Sequence, residues 1–242
     1  MNDHQLAALL ADDAGRLLLA VRDELADAPP AERKAEGDRR SHEFLMSELA
    51  RARPGDAVLS EEGADDRVRL HSPRVWIVDP LDGTREFAEP GRDDWAVHVA
   101  LWSGGDLVAG AVALPARGIT LATPTVPALP APPPTPRIVV SRTRPPAVAV
   151  RVGDAVGAEL IAMGSAGAKV AAVVQGRAEI YVHAGGQYEW DSAAPVAVAR
   201  AAGLHTSRID GTPLRYNQPD PLLPDLLVCR PRYAEAVLDA LR

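Results

Sequence analysis

The stretch Val75-Trp76-Ile77-Val78-Asp79-Pro80-Leu81-Asp82-Gly83-Thr84 concentrates more chemistry than any other in the 242-residue chain. An apolar, strand-like run ends in two carboxylates three positions apart, with a proline between them. Pro80 fixes φ and has no N–H, so the bend is stiff. The Asp79 carboxylate, the Leu81 carbonyl and the Asp82 carboxylate can then point to one side. Oxygen-only donors of this kind suit a hard cation such as Mg²⁺. Gly83 and Thr84 follow with backbone amides at the expected start of a helical turn, where an anion is favoured. Cation and phosphate sites would therefore adjoin. The plain alternative, a strand followed by an Asp-Gly turn, explains the dipeptide but not the whole string.

Leu59-Ser60-Glu61-Glu62-Gly63 is a second strand ending in acids. Alternation puts Glu61 and Glu62 on opposite faces, so one of them is the candidate ligand. Read alone, the pair is a solvated turn. In Glu189-Trp190-Asp191-Ser192-Ala193-Ala194-Pro195, Asp191 either caps a helix running through Val196 and Ala201 or serves as a ligand at that helix start. Asp38 also precedes an expected helix, and capping is its plain role. Gly164-Ser165-Ala166-Gly167-Ala168-Lys169 opens another helix, either to receive a second phosphate or to offer a small-residue packing face. His98, His183 and His205 lack metal-ligand spacing. Cys229 lies in an apolar run and is expected in the core.

Elements must bring these residues together. Leucines and valines at helical spacing predict a helix over residues 3–25, with Asn2 or Asp3 as cap. Residues 26–37, polar and broken by Pro29-Pro30, are expected to form a loop. A second helix is expected over about 39–51, stopped by Pro54-Gly55. Strands are expected at 57–60 and 74–78, and a hairpin from 95–102 and 107–114 turns through Gly104-Gly105. Seven prolines crowd residues 124–136, which therefore cannot be helix or central strand and mark a boundary between halves 1–136 and 137–242. The second half shows strands at 138–140, 179–182 and 226–228. Helices are expected to open near Ser165 and Asp191, and a terminal helix spans 232–241. Mixed elements in both halves imply a layered α/β protein.

Composition narrows the function classes. Apolar residues make up 47% of the chain, enough for a substantial core. The net charge of −7, with no basic stripe, argues against a nucleic-acid polymer as partner. A phosphorylated small molecule remains compatible, because bound cations invert the charge of an acidic site. No apolar run is long enough for a membrane span, and Met1-Asn2-Asp3-His4 does not resemble a secretory signal. A lone cysteine makes a reducing cytoplasm the simplest location.

Together the acidic pair, Asp-Pro-Leu-Asp-Gly-Thr and the distant Trp-Asp-Ser-Ala resemble the inositol monophosphatase superfamily, in its order and over essentially the whole chain. The resemblance is greatest to its CysQ branch, the 3'-phosphoadenosine 5'-phosphate phosphatases, in actinobacterial form. Val58-Leu59-Ser60-Glu61-Glu62, Asp82-Gly83-Thr84-Arg85-Glu86-Phe87, the Gly-Ser…Lys of 164–169 and Pro213-Leu214-Arg215-Tyr216 carry that likeness. It implies a layered αβαβα sandwich with the site where the two halves meet. By motif, Glu61, Asp79, the Leu81 carbonyl, Asp82 and Asp191 would hold two or three Mg²⁺. Thr84, Asp38 and Glu61 would orient and deprotonate the attacking water, and the Gly83 and Thr84 amides would hold the scissile phosphate. Leu81, Asp82 and Asp191 would also border the substrate, while Ser141, Arg142, Ser165 and Lys169 would face the nucleoside and its second phosphate. The chain departs from the branch at His98, commonly Asn, at Arg215, commonly Asp, and at Thr143-Arg144-Pro145.

The implied activity is hydrolysis of 3'-phosphoadenosine 5'-phosphate to AMP, and of its sulfated relative to APS, within sulfur assimilation. Phosphate monoester hydrolysis is among the slowest uncatalysed reactions. Hydroxide generation and stabilisation of the leaving alkoxide are what two cations about 3.5–4 Å apart supply. Lithium sensitivity is implied, and a homodimer is compatible with the resemblance. The alternatives are a broader inositol or fructose-bisphosphate phosphatase and an inactive nucleotide-sensing homologue.

Overall fold

The computed structural model describes residues 1–143 and 145–242, so the Arg144 substitution lies outside the described residues. The chain opens with α1 (Asp3–Glu24), capped by Asn2 in a reciprocal pair of bonds with Gln5. The next helix, α2, spans Pro30–Ala52, so the loop expected over 26–37 is largely helix. Pro30 starts α2 rather than breaking it, since a first-turn residue needs no N–H. Its buried face is Arg33, Gly37, Ser41, Leu45 and Leu49, one residue per turn. The first three are not apolar, which hides the helix from hydrophobic periodicity. Arg33 instead anchors it, donating to the carbonyls of Leu25, Ala26, Ala28 and Ala88.

The first sheet follows the order β1 (Ala57–Ser60), β2 (Arg74–Asp82), β3 (Ala96–Ser103), β4 (Asp106–Leu114), β5 (Ile119–Ala122). The β1–β2 pair is parallel and the other pairs are antiparallel. A single turn, α3 (Thr84–Ala88), follows β2. The second sheet is built from β6 (Arg137–Ser141), β7 (Glu159–Met163), β8 (Ile180–Ala184), β9 (His205–Ser207) and β10 (Asp225–Cys229), ordered β7-β6-β8-β10-β9. Its helices are α4 (Ala147–Val156), α5 (Ala166–Val174), α6 (Glu189–Ala201) and α7 (Pro231–Leu241). Of these elements, β5, α4, β7 and β9 have no counterpart in the sequence reading. The valine-rich α4 does not distinguish helix from strand, and β7 is mostly solvent-facing.

Three apolar clusters separate five layers. One packs α1 and α2 on the first sheet, through Leu10, Leu18, Leu45, Trp76 and Val99. The middle one joins the two sheets through α5 and α6, with Ile77, Val112, Val173, Val196 and Val228. The third packs α4 and α7 on the outer face of the second sheet. This is the αβαβα sandwich that the resemblance implied. No helix among the described residues is long and apolar enough to cross a membrane.

Candidate active site

β2 does not stop at Val78. It runs through the acidic motif with a register shift between Asp79 and Asp82, which puts His98 of β3 opposite Asp79 and Ala96 opposite Asp82. The Leu81 amide donates to Asp79 Oδ1 at 3.0 Å, and Ser41 of α2 donates to the Pro80 carbonyl at 2.7 Å. α2 can lie this close because Gly37 has no side chain. A Cβ there would stand 2.7 Å from Phe87 and 2.9 Å from Leu81. Its neighbour Asp38 thereby reaches Thr84, whose Oγ1 stands 3.5 Å from Asp38 Oδ1 and 3.2 Å from the Leu81 carbonyl. Asp38 is thus a mid-helix residue of α2, not the helix cap anticipated from sequence.

Parallel pairing of β1 with β2 sets Ser60 opposite Val78, and the Glu61 amide donates to the Val78 carbonyl at 3.3 Å. Glu61 therefore leaves the sheet beside Asp79. Asp191 is the third residue of α6, whose cap is Tyr188, and its Oδ2 accepts from the Tyr188 amide at 2.7 Å. Capping and proximity to the other acids coexist in one side chain.

The electrostatics are those of crowded acids. Burial, then Glu61, Asp82 and Asp191, push the Asp79 carboxyl well above the usual carboxylate range. Glu61 retains solvent access, yet desolvation of its carboxyl and the charges of Asp82, Glu62 and Asp38 raise it to about 7. Asp191 also rises to about 7, through burial first and Asp82 second, and Asp38 does so through burial and Glu62. Asp82 moves the other way. Burial alone would raise it, but His98, the Ser165 hydroxyl and the Gly167 amide hold it at about 2. His98 Nε2 lies 3.2 Å from Asp82 Oδ2, and this carboxylate outweighs burial to raise the imidazole pKa. His98 Nδ1 donates to the Trp190 carbonyl at 3.1 Å, so this buried ring ties β3 to the residue before Asp191. Sequence reasoning passed over His98 because only strand pairing, not spacing, brings it here.

A pH dependence follows. Glu61, Asp38 and Asp191 hold protons to about pH 7 in the folded chain, whereas the unfolded chain releases them near 4. Stability therefore falls as pH rises through that window, and His98 contributes in the same direction as it loses its proton above its raised pKa. A divalent cation favours the ionised carboxylates. In chelator, Tm is expected to fall between about pH 5 and pH 8, and the Tm gain from added Mg²⁺ to grow over the same interval. Thermal melts that are flat with pH in chelator would contradict this charge balance.

Two buried carboxylates and a histidine form a group that could hold a metal ion. Among the described residues Asp79 Oδ2 is buried without a hydrogen-bond partner, and one ligand atom each from Asp79, Asp82 and His98 falls within 4.8 Å of the others. Glu61 and Asp191 lie close enough for their charges to act on Asp79.

The remaining candidates from sequence are deployed differently. Ser165 donates to Asp82 Oδ2 at 2.5 Å, while the Ala166 and Gly167 amides donate to the same carboxylate at 3.1 and 2.6 Å. The start of α5 thus holds Asp82 in place. Lys169 is turned inward, donating to the Gly164 and Ser165 carbonyls at 3.2 and 2.7 Å beneath the Tyr181 ring. In this position it braces the 164–165 turn instead of standing open to a phosphate, because its stem packs among buried α5 residues. Arg142, just after β6, pairs with Glu86 of α3 and with Glu89 beside it. Ser141 lines a cavity of about 500 Å³ with Thr143, Pro146, His183 and Gly185, where β6 and β8 end. Arg215 is exposed.

Comparison with known proteins identifies the family. Residues 8–125 and 138–242 match the Inositol monophosphatase family. A Mycobacterium bovis protein named 3'-phosphoadenosine 5'-phosphate phosphatase is 56% identical over 238 residues, covering 95% of this chain and 89% of its own length. The 3'(2'),5'-bisphosphate nucleotidase CysQ of Escherichia coli is 31% identical over 190 residues, covering 73% of this chain and 76% of its own. Inositol monophosphatase II of Staphylococcus aureus superposes with a TM-score of 0.81 at 20% identity, over 98% of this chain and 92% of that one, a likeness of fold. The acidic motifs, the five-layer sandwich and the family match across nearly all of its length agree: the chain belongs to the inositol monophosphatase family.

Proposed function

We propose that this protein is a Mg²⁺-dependent phosphomonoesterase that removes the 3'-phosphate of 3'-phosphoadenosine 5'-phosphate to give AMP, and acts likewise on the sulfated relative to give APS, within sulfur assimilation. The 56% identity to a protein bearing that phosphatase name carries the substrate reading. The buried, unpartnered Asp79 oxygen among further acids supports the metal.

Glu61, Asp79, the Leu81 carbonyl, Asp82 and Asp191 would hold Mg²⁺ where halves 1–136 and 137–242 meet. Bound there, Mg²⁺ supplies the positive charge that lets a phosphate dianion enter an acidic cleft. Thr84 orients the attacking water through its hydroxyl, which already faces Asp38 and the Leu81 carbonyl. Asp38, whose carboxyl faces the Thr84 hydroxyl, would accept a proton from that water, and Glu61 would share that task. The Gly83 and Thr84 amides face the scissile phosphate. The nucleoside occupies the cavity beside Ser141, and Arg142 meets the second phosphate by exchanging one of its two carboxylate partners. Ser165 and Lys169 shape this side by holding Asp82 and the turn before α5. The reading places the enzyme in the cytoplasm.

Phosphate release over a substrate panel tests this. The expected order of kcat/KM puts the 3',5'-bisphosphate nucleotide first, ahead of inositol monophosphate and fructose bisphosphate. Chelator should abolish activity, and lithium should inhibit at millimolar levels or below. A preference for inositol phosphate would overturn the substrate and keep the metal chemistry. Nucleotide binding without any phosphate release would instead identify a sensor.

A further inference from the structure

Arginine is seldom buried completely unless its donors are used. Arg69 is 0% exposed, and each of its three guanidinium nitrogens donates a hydrogen bond. Nε and Nη2 donate to the two oxygens of Asp65 at 2.6 and 3.0 Å, Nη1 to Asn217 Oδ1 at 2.8 Å, and Nη2 also to the Gln218 carbonyl at 3.0 Å. The Arg69 carbonyl in turn accepts from Asn217 Nδ2 at 3.2 Å. Asn217 sits at φ +58°, which turns two successive amides toward a buried carboxylate. Its own N–H and that of Gln218 donate to the two oxygens of Glu189 at 2.6 and 2.7 Å.

The ends of this chain of bonds are informative. Asp65 lies four residues after Glu61, and Glu189 lies two residues before Asp191 and opens α6. Between β1 and Arg67 the backbone has no helix or strand and is largely exposed. The Glu61 and Gly63 amides bond to the Val78 and Ser60 carbonyls, and beyond Gly63 the buried Arg69 ties Asp65 of the segment to Asn217 and Gln218. A planar fork that meets three partners over-determines geometry in a way an apolar side chain of equal volume would not.

We infer that Arg69, acting through Asn217 and Glu189, is a positioning residue that sets the separation of Glu61 and Asp191 and thereby the affinity for divalent cations. This rests on the metal reading above. Neither Arg69 nor Asn217 touches the reacting groups. Both act by fixing the two carriers, one from each half of the chain, against each other.

Two variants test it in the full-length protein. Arg69→Lys keeps the charge but cannot reach three partners. Asn217→Gly keeps the positive φ and the amide bond to Glu189 while removing both side-chain bonds to Arg69, and it carries the test if Arg69→Lys fails to fold. Mn²⁺ is titrated into chelator-stripped protein, with free ion followed by electron paramagnetic resonance and Tm measured alongside. The expected result is a Kd raised about tenfold in each variant, typical of partners that orient metal ligands. Activity at saturating Mg²⁺ should stay within about threefold of wild type, and the double variant should bind about as weakly as the weaker single, because both cut one chain of bonds. An unchanged Kd with a lowered Tm would make the clamp merely structural and overturn the inference. A lowered kcat at saturating metal with unchanged Kd would overturn it too. A wild-type chain that bound no Mn²⁺ would fail the metal reading itself, and this inference with it.

Discussion

Asp79→Asn is expected to lower Mg²⁺-dependent phosphate release by at least about 10³-fold, roughly 4 kcal/mol in the barrier, without unfolding the protein. The substitution is nearly isosteric, and its remaining oxygen can still accept from the Leu81 amide as Asp79 Oδ1 does now. What disappears is the negative charge that a bound cation would draw out on a buried oxygen with no hydrogen-bond partner among the described residues, close to Glu61, Asp82 and Asp191. For the same reason the metal-free variant should be at least as stable as the wild type. Asp79 holds its proton well above the ordinary carboxylate range, so the gain in Tm should be small at about pH 5 and should widen as pH rises and the wild-type carboxyl is forced to ionise. Phosphate release and melting curves in chelator check the two halves separately. Retention of more than about a tenth of the activity, a loss of only ~1.4 kcal/mol, would remove Asp79 from the metal site. A Tm that fell at every pH would show that the carboxylate is kept for the fold instead.

The second large effect is expected from Gly167→Ala. A Cβ at this position would stand 2.0 Å from His98 Nε2, far inside contact distance. The ring cannot swing aside cheaply, because His98 is completely buried and its Nδ1 is bonded to the Trp190 carbonyl. Gly167 cannot retreat either, since its amide donates to Asp82 at 2.6 Å. Overpacking of this kind costs about 3 kcal/mol. In a chain of this size that is a fall in Tm on the order of 6–12 °C. Activity should fall as well, because relief of the clash moves His98 off Asp82 or Asp82 off α5. Combining Gly167→Ala with His98→Asn shortens the opposing side chain and should recover part of the lost Tm. A single variant within about 0.5 kcal/mol of wild type would mean that α5 and β3 do not approach as closely as this geometry requires.

Both results bear on how much the sequence discloses. The terminal helix, the Gly104-Gly105 hairpin, α1 with its Asn2 cap, and the strand carrying Asp79 are legible because they rest on local patterns: periodicity, a glycine turn, a capping residue, an apolar run. α2 is only half legible. Its second half buries Leu45 and Leu49, but its first half is held by Arg33 and by the close approach at Gly37, and neither follows a hydrophobic period. For that reason Asp38 reads in the sequence as standing before a helix, whereas it stands inside one.

The cluster of acids shows the same division. Asp79, Leu81, Asp82, Gly83 and Thr84 are covalent neighbours, so a stiff proline turn is enough to align them, and the sequence by itself determines that oxygen donors and candidate phosphate-facing amides lie together. The distant motifs around Glu61 and Asp191 can be matched by family resemblance, yet their convergence depends on the parallel pairing of β1 with β2 and on α6 packing between the sheets. Only the tertiary structure decides that His98 lies opposite Asp79, that Ser165 and Gly167 bind Asp82, that Lys169 turns inward, and that Arg69 links Asp65 to Asn217. These are contacts between residues tens to more than a hundred positions apart, or choices of side-chain direction. Strand register, helix packing and the cost of leaving a buried donor unpaired settle them, and none of these has a signature in local residue order.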